Sequence, residues 1–143
     1  IVYCDGACPN NGNPGAIAGV GVWWGGGDSR NLSERCPGPQ TNNRAELIAI
    51  IRVLEIAPAA RSLTIKTDSK YCIQSIVDWL PRWRTNGFKL ANGKPAQNQP
   101  LIKYLDALMQ NRRAKGQRVE LFHVRGHQGE TGNEGADFLA NRG

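Results

Sequence analysis

Residues 1–15 read IVYCDGACPNNGNPG and join a short apolar run to a segment rich in turn-forming residues. Ile1 to Cys4 has the composition of a buried strand, and this strand runs into Asp5. Gly, Asn and Pro follow, which indicates a turn. An ionised carboxylate at the end of a core strand is unfavourable unless its charge is compensated. Asp5 alone is also consistent with ordinary turn chemistry, so its role depends on whether other acidic residues reach the same place.

Length and composition predict one globular domain. The chain has 143 residues, of which 40% are hydrophobic and 21% charged, enough for a sizeable core. We expect residues 1–143 to form a single domain cut or trimmed from a longer chain, because the first residue already lies in a predicted strand and the last few in a predicted helix. No apolar run in the sequence approaches the ~20 residues that a membrane helix needs.

Cysteine usage and the absence of a targeting signal in the sequence favour an intracellular protein. The four cysteines are scattered and form no CxxC pair, which favours reduced thiols over a disulfide framework or a zinc site. We expect a protein of the nucleus or mitochondrion if the source is eukaryotic, or of the cytoplasm if it is bacterial. We also expect it to be a monomer that does not contact membranes.

Positive charge is concentrated in one part of the chain. The net charge is +6, but residues 82–118 hold nine basic residues and one acid, a net of +8, which leaves −2 for the remainder. A basic segment beside a mildly acidic body favours a polyanionic partner bound by one part of the protein. A solvated basic surface explains the charge equally well.

The order of periodic segments predicts a mixed sheet with helices packed on it. Three short β-prone runs separated by Gly- and Pro-rich turns favour an antiparallel meander. Helical and strand patterns alternate after them, and Pro58 and Pro81 end two of the helices. The predicted strands cover residues 1–4, 18–24, 31–36, 63–67 and 119–124. The predicted helices run from near residues 41–43 to Pro58, from a cap at Ser69 to residue 80, from Pro100 to about residue 113, and over residues 133–141.

Four acidic residues are placed where they could meet. Asp5 and Asp68 lie at the carboxyl ends of predicted strands, Glu46 in the first turn of a helix, and Asp137 in the last helix. Such a cluster repels itself unless hard cations lie between the carboxylates, and oxygen-only ligands favour Mg²⁺ or Mn²⁺. Two ions about 4 Å apart would suit an in-line phosphodiester displacement. Taken singly, each acid is better explained by a structural role: Asp5 as a turn former, Glu46 as a helix-dipole partner, Asp68 as a helix cap and Asp137 as a surface acid.

The motifs around these acids resemble those of a type 1 ribonuclease H. CDGAC, TNNRAEL, KTDSKYC and HVRGHQGETGNEGAD occur in this order, with spacings of 41, 22 and 69 residues between the successive acids. The resemblance covers essentially the whole chain. It implies an α/β fold with a five-stranded mixed sheet, the first three strands antiparallel, flanked by helices. It also implies hydrolysis of the RNA strand of RNA–DNA hybrids, leaving 3′-hydroxyl and 5′-phosphate ends, an activity that would remove R-loops.

The resemblance assigns catalytic roles to five residues. Asp5, Glu46, Asp68 and Asp137 are implied to hold two Mg²⁺ ions when substrate is bound, with Mn²⁺ as a substitute. His127, in a glycine-rich loop, is implied to transfer a proton or assist product release. A solvent-exposed histidine is the simpler explanation of His127 from the sequence alone.

Contacts with the two nucleic-acid strands are also implied. Short amides suit the 2′-hydroxyls of RNA, whereas aromatic rings beside cations suit a DNA strand. Pro39 stands where some family members carry an arginine, so the DNA phosphate pocket is expected to be weaker or to use another cation such as Arg44. The implied RNA contacts are Asn11, Asn42 and Asn43; the DNA contacts are Thr41, Tyr71, Trp79, Trp83 and Asn98; the basic protrusion contains Arg82, Arg84 and Lys89.

Three other functions compete with this interpretation. The chain could be an integrase-like or transposase-like nuclease acting on DNA, a domain associated with a reverse transcriptase, or a binding module without catalytic activity. The TNNRAE segment and the basic insertion argue against the first, and the four acids argue against the third. An additional hybrid-binding domain outside this chain is compatible with the sequence.

Overall fold

The computed structural model describes residues 1–8, 15–26, 28, 30–38, 40–57, 63–67, 69–74, 99–124 and 131–142. Within these ranges the order of elements is β-β-β-α-β-α-α-β-α, as predicted. The strands are β1 (Val2–Ala7), β2 (Gly19–Trp23), β3 (Leu32–Arg35), β4 (Leu63–Thr67) and β5 (Val119–His123). The helices are α1 (Asn42–Ile56), α2 (Lys70–Ile73), α3 (Gln99–Ala114) and α4 (Thr131–Arg142).

The strands form one mixed sheet with β1 at its centre. The order across the sheet is β3-β2-β1-β4-β5. β1, β2 and β3 are antiparallel neighbours, whereas β4 pairs in parallel with both β1 and β5. The predicted antiparallel meander and the five-stranded mixed sheet are therefore confirmed. None of the helices within the described ranges is long and apolar enough to cross a membrane.

Two predicted boundaries beside the acids are wrong. β1 does not end before Asp5 but continues to Ala7, because Asp5 pairs with Gly21 and the ladder extends to Ala7 and Gly19. Asp5 is therefore inside a strand. Helix α1 begins at Asn42 with Thr41 as its N-cap, which places Glu46 in the second turn rather than the first.

Helices α1 and α4 cover opposite faces of the central strands. Successive side chains of a strand point to opposite faces. A Cβ on Gly6 would meet α1 at Glu46 N, 2.5 Å away, whereas a Cβ on Gly21, the partner of Asp5, would meet α4 at Ala136 O, 2.2 Å away. Glycine at these two positions lets both helix backbones approach the sheet closely. The consequence is that Asp5 lies between α1 and α4.

The main core lies between the sheet and α1, with α3 packed against that helix. Alternating residues of β1, β2 and β4 point into it, and one face of α1 and of α3 completes it. Its largest fully buried side chains are Leu47, Ile50, Ile65, Ile102, Leu105, Met109, Val2, Val20, Val22 and Val53.

One arginine of the basic segment is part of the interior. Arg112, in α3, is only 7% exposed. Its Nη2 donates to the carbonyl oxygens of Leu54 and Ala57, at 3.0 and 2.9 Å, and its Nη1 donates to Gln117 Oε1. The carbonyl oxygens at the end of a helix have no partner within the helix, so Arg112 caps the C-terminal end of α1. It is not available to attract phosphates.

We expect Arg112→Leu to destabilise the protein by about 2–4 kcal/mol, because it leaves two buried carbonyl oxygens without donors. Chemical denaturation in urea measures the change. The neighbouring Arg113 is exposed, and Arg113→Leu is the matched control, with an expected change within about 0.5 kcal/mol. Equal stability of the two variants would contradict the capping role of Arg112.

Candidate active site

A cavity of about 760 Å³ opens where β1, α1, α2 and α4 meet. Three of the four predicted acids, Asp5, Glu46 and Asp137, line it. They come from a strand and two helices that are distant in sequence. The complete lining is Asp5, Gly6, Ala7, Cys8, Asn42, Glu46, Ser69, Lys70, Asp137 and Asn141.

Two of these carboxylates are buried. Asp5 is 3% exposed and Glu46 is 5% exposed. Asp5 Oδ1 accepts a hydrogen bond from the backbone nitrogen of Gly6 at 2.9 Å. Glu46 is held at the cavity by the close approach of α1 to β1, since a Cβ on Gly6 would lie 2.5 Å from Glu46 N. The close packing of Gly6 against α1 therefore determines the position of Glu46.

Asp137 lies on the other side of the cavity, on α4. Asn141, one helical turn further along, donates from Nδ2 to Asp137 Oδ1 at 3.2 Å and to the Asp137 carbonyl oxygen at 2.9 Å. Ala136 and Ala140 turn toward the sheet and are buried. Because residues at this helical spacing share a face, the small residues pack on β1 and β2 while Asp137 and Asn141 reach the cavity.

Two carboxyl groups act on the interior beside the cavity. Burial raises the pKa of the Cys4 thiol well above its usual value, and the charges of Glu46, Cys72 and Asp5 raise it further, whereas a hydrogen bond with Thr67 lowers it. Cys4 is therefore uncharged at neutral pH, and both carboxylates act on the same region of the core. A cation bound in the cavity would offset this negative charge.

The donor atoms at the cavity suit a hard divalent cation. The acidic groups offer only oxygen, the ligand type that Mg²⁺ prefers, and two of them are buried, so that a negative charge on either would need compensation. Within the described ranges, no three acidic, histidine or cysteine side chains form a metal site by themselves. Asp68, the fourth predicted acid, lies outside those ranges, directly after β4. Asp5, Glu46 and Asp137 therefore fit a metal ion as part of its ligand set, which other groups would complete.

Comparison with known proteins assigns the chain to a family. Residues 1–143 match the RNase H family. The chain belongs to the RNase H family. It is 46% identical to Ribonuclease H of Schizosaccharomyces pombe over 144 residues, which cover 100% of the chain and 52% of that relative. It is 41% identical to Ribonuclease H of Thiobacillus denitrificans over 142 residues, covering 99% of the chain and 90% of that relative.

Structural similarity agrees with this assignment. The solved structure of LC9-RNase H1, described as a type 1 RNase H with the type 2 active-site motif, is 29% identical and has a TM-score of 0.72. The match covers 98% of this chain and 69% of that one. The family resemblance and the fold inferred from the sequence are thus confirmed. The chain spans about half the length of the fungal relative and of the mammalian ones.

The N-terminal end of α1 carries three predicted nucleic-acid contacts of this RNase H domain. Thr41 is exposed, and its hydroxyl oxygen accepts a hydrogen bond from Arg44 N at 3.2 Å. Asn42 lines the cavity, whereas Asn43 is half-buried and is not part of the lining. Arg44, the cation suggested in place of the missing arginine, donates from Nη2 to Pro37 O at 2.9 Å. Its guanidinium is therefore held against the loop that precedes Pro39.

The remaining predicted site residues stay predictions. For Tyr71 the side chain is outside what the structure describes, and for the others the whole residue is. These others are Asn11, Asp68, Trp79, Arg82, Trp83, Arg84, Lys89, Asn98 and His127.

Six residues at the cavity were not predicted from the sequence, and four of them, all except Gly6 and Ala7, carry side chains with polar or reactive groups. Lys70 brings a positive charge to a wall otherwise lined by acids and small polar groups, and it follows Asp68 by two positions. Ser69, Cys8 and Asn141 also line the cavity. The proximity of Ser69 and Lys70 to a predicted acid was a usable signal. For Asn141, the spacing of four residues from Asp137 in a helix was the only available signal.

Cys8 is expected to be the reactive thiol of the native protein. It is half-buried at the cavity, whereas Cys4, Cys36 and Cys72 are buried, and burial also raises the pKa of Cys4 and Cys36. Iodoacetamide should alkylate Cys8 at least about tenfold faster than the others, as measured by peptide mass spectrometry. Cys8→Ser should abolish the fast reaction. Equal rates for all four thiols would contradict this placement.

Proposed function

We propose that this chain is a metal-dependent endonuclease that hydrolyses the RNA strand of RNA–DNA hybrids and leaves 3′-hydroxyl and 5′-phosphate ends. The observation that carries the proposal is the meeting of Asp5, Glu46 and Asp137 at one cavity, although they are 41 and 91 residues apart in sequence. Membership of the RNase H family supports the reaction class. Carboxylates crowded beside a phosphate-bearing substrate serve no purpose in a simple binding protein, because they repel it.

The carboxylates would hold the metal. Asp5, Glu46 and Asp137, with Asp68, provide oxygen ligands for Mg²⁺, two ions with substrate bound, or for Mn²⁺ in its place. The metal would supply activation of a water molecule and stabilisation of the negative charge that develops on the phosphate. The rigid elements that carry the acids keep the buried carboxylates in position before substrate arrives, which reduces the reorganisation needed for reaction.

Recognition of the two strands would use different chemical groups. Asn42 lines the cavity beside the acids, where an amide can both donate to and accept from a ribose 2′-hydroxyl. Asn11 and Asn43 are the other proposed RNA contacts. Thr41 lies at the same helix end, and its hydroxyl suits a DNA phosphate. The other proposed DNA contacts are Tyr71, Trp79, Trp83 and Asn98, with the basic protrusion of Arg82, Arg84 and Lys89.

Proton transfer is the proposed task of His127, at the start or the end of the reaction. The motivation is its position in RGHQGETG, ten residues before Asp137. Imidazole titrates near neutral pH and so exchanges protons readily under physiological conditions.

A cleavage assay on matched duplexes tests the proposal. End-labelled RNA–DNA, RNA–RNA and DNA–DNA duplexes of one sequence are incubated with the protein in Mg²⁺, Mn²⁺ or EDTA. We expect cleavage of the RNA strand of the hybrid only, in either metal and not in EDTA, with products that carry a 5′-phosphate. Cleavage of DNA–DNA would favour an integrase-like nuclease, and tight hybrid binding without cleavage would favour a binding module; either result would overturn the proposal.

A further inference from the structure

Asn141 lies where it can control one of the carboxylates. It is one of the cavity-lining residues, it is exposed, and it sits in the last turn of α4. Neither the sequence motifs nor the proposed cleavage reaction assigns it a role. Its neighbours toward the sheet are Ala136 and Ala140, which are fully buried. The backbone at Asn141 is thus fixed by packing, while its side chain faces the opening.

The amide of Asn141 holds Asp137 by two hydrogen bonds. Nδ2 carries two hydrogens and donates to Asp137 Oδ1 at 3.2 Å and to the Asp137 carbonyl oxygen at 2.9 Å. One contact is to the carboxylate and the other to the backbone of the same residue. Together they restrict the direction of the Asp137 side chain relative to α4, at a cavity that both residues line.

The neutrality of the amide matters as much as its geometry. A lysine or arginine at this position would orient Asp137 equally well but would cancel its charge and compete with a cation. An alanine would leave the carboxylate free to rotate, and binding a metal would then cost the entropy of fixing it. An amide orients the ligand and keeps its full negative charge. Groups that hydrogen-bond to metal-ligating carboxylates commonly act in this way.

We propose that Asn141 is a positioning residue that pre-orients Asp137 for a divalent cation. The inference rests on the proposed function, since it concerns the same cavity. The effect is expected to be that of one ordinary hydrogen bond, about threefold to tenfold in the affinity for Mg²⁺. The maximal rate at saturating Mg²⁺ should change less than twofold, because Asn141 acts on ligand orientation and not on the reacting atoms.

Binding of Mg²⁺ without substrate provides the first test. The wild type and Asn141→Ala are titrated with Mg²⁺, and the backbone amide shifts of β1 and α4 are followed by NMR. We expect the apparent Kd of Asn141→Ala to be about threefold to tenfold higher. Hybrid cleavage at a series of Mg²⁺ concentrations should show the same shift in the half-saturating concentration with a similar plateau.

Stability and rescue separate positioning from general damage. Alanine is a better helix former than asparagine, so the Tm of metal-free Asn141→Ala should equal or exceed that of the wild type. Asn141→Gln keeps the donor at a spacing where glutamine bonds to aspartate in helices, and it should recover at least half of the lost affinity. Asn111 is an exposed asparagine of α3, and Asn111→Ala is the matched control. It should change neither the Mg²⁺ titration nor the Mg²⁺ dependence of cleavage.

Each outcome bears on one proposal. Superimposable Mg²⁺ curves for the wild type and Asn141→Ala, or no recovery in Asn141→Gln, would overturn the role of Asn141. A lower cleavage rate at saturating Mg²⁺ together with a lower Tm in Asn141→Ala would also overturn it, since that result would indicate structural damage. If the wild type itself shows no Mg²⁺-dependent shifts and no hybrid cleavage, the proposed function fails instead.

Discussion

Asp5→Asn is expected to abolish cleavage of RNA–DNA hybrid, with kcat at least about 10³-fold lower in Mg²⁺. The substitution keeps the size of the side chain, and its oxygen can still accept the hydrogen bond from Gly6 N. What it removes is one negative charge from the centre of the sheet, where the proposed metal is held. Binding of the hybrid in Ca²⁺ should stay within about tenfold of the wild type, because the binding surface is unchanged.

The same substitution should make the metal-free protein more stable. Asp5 and Glu46 are both buried and line one cavity, so their charges repel each other at low dielectric. Replacing one of them with an uncharged isostere should raise the free energy of unfolding by roughly 1–2 kcal/mol. Mg²⁺ should stabilise the wild type, because it binds only the folded state, and stabilise Asp5→Asn much less.

Urea denaturation with and without Mg²⁺, combined with single-turnover cleavage, measures both effects. Glu120→Gln, which removes an exposed carboxylate on β5, is the control and should change neither quantity appreciably. Residual Mg²⁺-dependent activity of Asp5→Asn above about one-tenth of wild type would contradict the catalytic assignment. Lower stability in the absence of metal would contradict the repulsion between the two carboxylates.

Local patterns were sufficient to predict most of the elements. β4 covers the predicted residues 63–67, because its apolar side chains alternate and a strand pattern of this kind is local. Helix α1 ends shortly before Pro58, as the proline predicts. The side chain of Thr41 caps its N-terminal end. The assembly of the sheet around β1 followed from the family resemblance and not from these local patterns.

The errors concern contacts between residues that are distant in sequence. Asp5 was expected to end its strand, but pairing with Gly21 on the next strand extends β1 to Ala7. Arg112 belonged to a basic segment that suggested phosphate binding, yet its partners are carbonyl oxygens 55 and 58 residues earlier in the chain. Counting charges along the sequence treats every arginine as a surface cation, and only the tertiary packing shows that Arg112 is buried.

Gly6→Ala is the second substitution with a large expected effect, because it acts on the packing that positions the site. A Cβ at Gly6 would lie 2.5 Å from Glu46 N, 2.6 Å from the Ala45 carbonyl carbon and 2.8 Å from Ala45 Cβ. Two of these atoms are backbone, so α1 and β1 must separate by about 1 Å to restore van der Waals contact. We expect a loss of about 3 kcal/mol in stability, measured by urea denaturation.

The displacement should also lower activity beyond what unfolding explains. Glu46, a proposed metal ligand, is carried by the part of α1 that must move, and a shift of about 1 Å in a catalytic group can cost roughly 10²-fold in rate. Single-turnover cleavage at saturating hybrid and at a temperature where Gly6→Ala is folded measures this loss. Gly26→Ala is the control, since a Cβ there would meet no atom within 4 Å and the position has no left-handed backbone angle.

A second variant identifies the atoms responsible. Adding Ala45→Gly to Gly6→Ala removes the contact at 2.8 Å but leaves the two shorter contacts with the backbone of α1. The double variant should therefore recover less than half of the lost activity. Full recovery would mean that a side chain, and not the helix backbone, sets the distance between β1 and α1. Wild-type activity in Gly6→Ala itself would contradict this expectation. It would mean that cleavage does not depend on the close spacing of β1 and α1 that positions Asp5 and Glu46.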